Sequence, residues 1–114
     1  MLSRREQIEA MLADEPADLF LRYSLALELA KENEQQRSLE LLQALMTGQT
    51  PYVPAFLMAA QKLTEMGRLN EARAALGDGI EQARRQGNAH AAGEMSELLA
   101  ALGAAGGGSA SDER

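Results

Sequence analysis

Residues in this chain recur at a spacing of 34. Ala26 returns as Ala60, Leu29 as Leu63, Asn33 as Gly67 and Leu42 as Leu76. Two turn signals, Glu32–Asn33 and Met66–Gly67, stand at the same offset. A period of about 34 residues with one helix pair per period is the mark of a helical-repeat array. It moves the functional question from a reaction to a surface and what binds it.

Composition supports helices and little else. Ala, Leu, Glu and Gln, all good helix formers, dominate the 114 residues. Aromatics make up 4%, so the core must be built from Leu, Met and Ala between helices. The expected fold class is all-α.

Local signals place about six helices along the chain. Ser3 with Glu6 forms a capping box, and Ile8, Met11 and Leu12 follow as one apolar stripe. Pro16 ends that helix. A second runs from about Ala17 to Lys31, with Asp18 supplying negative charge to its first turn. Leu25, Ala26, Leu29 and Ala30 form one face, and Phe20, Tyr23 and Leu27 another. After the left-handed turn expected at Asn33, a third helix spans about Glu34 to Met46. Leu39, Leu42, Leu45 and Met46 point inward, and Gly48 is the stop.

The fourth helix covers about Val53 to Met66, with Pro54 in its first turn and Gly67 at its end. The fifth starts near Leu69 with Asn70 as the cap and runs to about Gln86. Ala72, Ala75, Leu76, Ile80 and Ala83 face inward. Gly77 and Gly79 interrupt it, either to permit close helix approach or at a simple cost of about 1 kcal/mol each. The sixth covers Ala89 to Leu102, with Met95, Leu98, Leu99 and Leu102 in helical register. Residues 103–114, dense in Gly and Ser, read as a flexible tail.

At these positions the chain resembles the tetratricopeptide repeat family. In the stretch from Pro51 to Gly87, Phe56, Ala59-Ala60 and Leu63 fill the first-helix places. Gly67 ends that helix, Ala72 is the small residue at the helix crossing, and Leu76 follows four later. Gly79 stands where the family usually has Ala, and Arg84 replaces its Pro. The earlier unit is looser. Leu25-Ala26, Leu29 and Leu42 fit, but Arg22 replaces the large aromatic, Asn33 the Gly, Ser38 the Ala and Thr50 the Pro. Ile8, Met11 and Pro16 match the second half of a preceding unit. Met95, Leu98-Leu99 and Leu102 fit as a shifted cap. The resemblance implies a half repeat at 3–16, repeats at 17–51 and 52–87, and a capping helix at 88–102. Antiparallel helix pairs would stack as a short right-handed α-solenoid.

Candidate chemistry is sparse. The chain has no cysteine, which excludes disulfides and thiolate catalysis, and its one histidine is His90. Metal ligands of the His and Cys kind are too few, and the 106–108 glycines introduce no helix that could cradle phosphate. No enzyme activity, cofactor or metal is expected. A net charge of −6 argues against nucleic acid, since Arg4–Arg5 and Arg84–Arg85 are the only tight basic pairs. No stretch reads as a signal peptide or membrane span, so a cytoplasmic protein without membrane contact is expected.

A protein or peptide is the expected partner. In the geometry that the resemblance implies, the concave side would be lined by Phe20, Tyr23, Ser24, Leu27 and Lys31, then by Leu57, Met58, Gln61 and Glu65. Family members that grip a C-terminal carboxylate use Lys, Asn and Arg there. Tyr23, Leu27 and Met58 stand at those places, leaving only Lys31, so an apolar or amphipathic helix fits this groove better. In so short an array the end helices could instead cover this face, making Phe20, Tyr23 and Leu57 ordinary core. Two other roles stay open. One is a homodimeric scaffold joined through the last helix by Met95 and Leu98, and the other is a regulatory subunit of a larger complex.

Overall fold

The computed structural model describes residues 1–105. Six helices follow one another: α1 (Arg4–Asp14), α2 (Leu19–Lys31), α3 (Gln35–Leu45), α4 (Val53–Glu65), α5 (Leu69–Arg85) and α6 (Ala89–Ala105). There is no strand among the described residues. The chain divides into two compact units, Met1–Ala55 and Phe56 onward, the division falling inside α4.

Three turns share one hydrogen-bond pattern. Asn33, Gly67 and Gly87 all have positive φ, at 65°, 77° and 75°. In each turn the next N–H reaches back across the helix end: Glu34 to the Leu29 carbonyl (2.8 Å), Arg68 to Leu63 (2.8 Å) and Asn88 to Ala83 (2.7 Å). This is the Schellman closure, in which a left-handed residue lets the chain satisfy the last helical carbonyls. The donor residue then starts the following helix, since Glu34, Arg68 and Asn88 accept from Ser38, Ala72 and Ala92. A turn this short sends each helix back along the one before.

In the first unit, α1 and α3 both pack on α2. The start of α1 lies beside the end of α2, where Arg4 meets Glu28 at 3.7 Å and Arg5 meets Glu32 at 2.8 Å. Ile8, Ala26, Leu29, Leu39 and Leu42 are buried. Burying each large aliphatic side chain contributes about 1.5–3 kcal/mol. Ser38 is also buried, and its hydroxyl donates to the Ala26 carbonyl at 2.7 Å. The small Ala26 leaves room for that bond, so α2 and α3 approach closely.

In the second unit, α5 packs against α6. Phe56, Ala59, Ala60 and Leu63 of α4 are buried, as are Ala72, Ala75, Leu76, Ile80 and Ala83 of α5. Gly79 accounts for one close approach. A Cβ on it would stand 2.6 Å from both Phe56 Cβ and Met95 Sδ. Gly77 would meet nothing within 4 Å. Helix α5 runs unbroken through both.

Several local expectations are corrected. The capping box is present: Ser3 Oγ accepts from the Glu6 N–H, and the Ser3 N–H donates to Glu6. Yet Met11 is exposed and only Ile8 of the α1 stripe is buried, because one neighbouring helix covers only a narrow face. Asp18 is the N-cap of α2, accepting from Leu21 N–H at 2.8 Å, and not a first-turn residue. Met46 caps α3 and is half-buried, so that helix stops before Gly48. Arg68, and not Asn70, opens α5, and Asn70 accepts from Arg73. Helix α6 continues through Gly103 to Ala105, into the stretch expected as a tail. The remaining tail residues, 106–114, lie outside the described residues.

Candidate functional site

The α2 set belongs to the first unit. Phe20, Tyr23, Ser24, Leu27 and Lys31 follow at helical spacing, and none of them is buried. Phe20 is 63% exposed, so it is not core in the structure. Tyr23 is partly covered by Tyr52, from the loop before α4. Their rings sit 5.4 Å apart, tilted by 56°, a geometry that aromatic quadrupoles favour. Burial, and then the neighbouring Tyr52, push the Tyr23 phenol above its ordinary range. Burial, and then the Asp18 carboxylate, do the same to Tyr52. Both hydroxyls therefore stay neutral near pH 7 and offer hydrogen bonds beside an apolar ring.

Lys31, the single cation of that set, is not free. Its Nζ lies 3.2 Å from Glu28, the carboxylate that also faces Arg4. An anionic ligand would have to compete with that pair. The face is thus aromatic and aliphatic with hydroxyls.

The α4 set belongs to the second unit. Leu57 and Met58 are half-buried, and Gln61 and Glu65 are exposed. Leu57 and Gln61 line a shallow open depression of 380 Å³ together with Glu94, Glu97 and Leu98 of α6. Glu65 lies beyond that depression and faces Lys62 at 3.6 Å. Its lining mixes the apolar Leu57 and Leu98 with the polar Gln61 and two α6 carboxylates, Glu94 and Glu97.

Some residues that sequence reasoning set aside or used elsewhere change place. Glu94 and Glu97 flank this depression and are more than a remote solvated face. Met95 is 1% exposed, so it is unavailable for joining two copies through α6. It fills the space that Gly79 leaves. His90 is exposed, with Nε2 3.7 Å from Glu94. Among the described residues, no group of three or more His, Cys, Asp or Glu side chains could hold a metal ion. No described helix is long and apolar enough to cross a membrane.

Tyr52 was missed because it lies in a loop outside the helical register. A further cavity in the first unit, beside Arg22, was missed as well. Its signal was in the sequence: an arginine at the place where the next unit has Phe56 leaves ring volume unfilled.

No protein-family model matches the chain, and no curated protein matches it. Among solved structures, the chain is similar to the solution structure of protein BPP2914 from Bordetella parapertussis, a structural-genomics target. The TM-score is 0.77 at 25% identity, covering 93% of this chain and 92% of the other. The likeness extends over nearly all of both chains and supports the six-helix arrangement.

Proposed function

We propose that this protein is a non-catalytic, tetratricopeptide-like module of the cytoplasm that binds a peptide or amphipathic helix of a partner protein. The observation that carries the reading is the α2 face. A helix already packed by α1 and α3 still leaves Phe20 exposed and Tyr23, Ser24 and Leu27 only half-buried. Apolar and aromatic side chains left open at i, i+3 and i+7 suit the anchors of a second helix. Leu57 and Met58 offer a similar face on α4, where exposed Gln61 and Glu65 supply a polar edge.

Selection of binders from a displayed library of helical peptides tests the reading. Tyr23→Ala and Leu57→Ala should each weaken the selected peptide by about 1–2 kcal/mol, the loss typical of an interface anchor. Circular dichroism should show unchanged helicity. Peptides that bind both variants as tightly as the parent would remove these faces from the account.

A further inference from the structure

The 34-residue register is filled differently at one place. In the second unit Phe56 is 2% exposed and lies against Gly79. The matching residues of the first unit are Arg22 and Leu45. No ring enters there, and the unit instead holds a half-open cavity of 270 Å³. Leu12, Pro16, Leu25, Leu41 and Leu45 form its walls, and the exposed Arg22 is its one charged member.

Arg22 is held at this cavity by a backbone acceptor. Its Nε donates to the Pro16 carbonyl at 2.7 Å, which fixes the guanidinium beside the cavity wall. No carboxylate among the described residues pairs with it, a condition it shares with Arg37, Arg73 and Arg84, but of these arginines only Arg22 lines the cavity. The nearby Asp18 carboxylate is engaged by the Leu21 N–H. In a chain of net charge −6, an arginine without a carboxylate beside an aliphatic cavity is a specific arrangement. A guanidinium held through Nε keeps two Nη groups, whose donors match a carboxylate. Apolar cavities of about 150 Å³ already take up benzene, so this one has room for a larger apolar body.

We propose that this cavity binds a small apolar monocarboxylate, with its aliphatic body among the leucines and its carboxylate on the Arg22 Nη groups. The site goes beyond the peptide-binding reading and shares no residue with it. Neither Tyr23 nor Leu57 lines the cavity, so each proposal can fail without the other.

Octanoate is the probe, with octan-1-ol as its uncharged counterpart, followed through the leucine methyl resonances of the full chain. Octanoate should shift Leu12, Leu25, Leu41 and Leu45 saturably and bind about tenfold more tightly than octan-1-ol, the factor expected of a charge-assisted hydrogen bond. Arg22→Gln should remove that tenfold preference, and Arg22→Lys should retain part of it. Ala44→Phe, which fills the cavity from α3, should abolish binding of both probes. Should Arg22→Gln not fold, the Arg22→Lys and Ala44→Phe chains carry the same comparison. Equal affinity for octanoate and octan-1-ol would overturn the proposal. So would methyl shifts confined to other leucines, or no shift at millimolar octanoate. A leucine-bearing peptide that shifts these methyls where octanoate does not would assign the cavity to a protein side chain and overturn it too.

Discussion

Gly77 and Gly79 lie two residues apart on one helix and have opposite reasons to be there. Gly79 is buried, and a Cβ on it would collide with Phe56 and Met95 at 2.6 Å. Phe56 would be struck at its Cβ, beside the backbone, where little can give. Gly79→Ala should therefore destabilise by about 1–3 kcal/mol, the usual cost of overpacking. Gly77 is exposed with open space around it. Gly77→Ala should stabilise by up to about 1 kcal/mol, the propensity gain in a helix interior. Urea denaturation of the two variants checks both signs, and a stabilising Gly79→Ala would refute the close approach. The sequence alone left these glycines indistinguishable. Which of them faces a neighbour depends on the crossing with α4 and α6, a tertiary fact that spacing within α5 does not carry. Met11 shows the same limit: its spacing places it with Ile8, but burial needs a partner helix on that side.

Among the elements, the turns were the most legible and the helix starts the least. A left-handed residue has few choices, so Asn33, Gly67 and Gly87 announce their turns by chemistry alone. The start of the next helix follows from the Schellman closure, because the residue that closes one helix opens the next. That puts the N-cap at Arg68, which has no capping side chain, and not at Asn70, which has one. Asn88 meets both demands, since its Oδ1 accepts from the Ala91 N–H at 3.0 Å. At α1 the boundary is set by the Ser3 and Glu6 capping box and not by a Schellman closure. Hydrogen bonds from the Ser3 backbone, and then from its side chain, hold the Glu6 carboxyl below its ordinary range. The folded chain thus holds fewer protons than the unfolded one just below the ordinary Glu pKa. The contribution of the capping box is therefore complete above the unfolded pKa and fades as pH falls through the folded one. Titration of the Glu6 carboxyl by NMR should give a midpoint below that of an unstructured Glu. Ser3→Ala, which keeps the backbone N–H, should move it only part of the way back up, and a midpoint equal to that of an unstructured Glu in the parent chain would mean that the box does not form in solution.

At the scale of the whole molecule, the repeat makes an energetic claim as well as a geometric one. If the 34-residue register describes equivalent sites in the two units, equivalent substitutions should cost alike where the residues match and differ where they do not. Leu29 and Leu63 are 1% and 2% exposed, and Leu42 and Leu76 are both fully buried. Each of the four Leu→Ala changes should destabilise its unit by about 2–5 kcal/mol, and members of a pair should agree more closely than that range. The pair at the unmatched place should split. Phe56→Ala empties a filled site in the second unit and should cost about 3–5 kcal/mol. Arg22→Ala removes an exposed side chain next to a cavity that is already open, and should stay within about 0.5 kcal/mol. Native-state hydrogen exchange of the amides in each substituted unit reads these differences one unit at a time. Matched losses at both leucine pairs, together with a split at Arg22 and Phe56, would establish two structural copies of one repeat, of which the first has exchanged a core ring for a charged cavity. A small loss at Leu29 beside a large one at Leu63 would show that the sequence repeats without repeating its packing, and the residue-by-residue correspondence that leads from Phe56 to Arg22 would lose its basis.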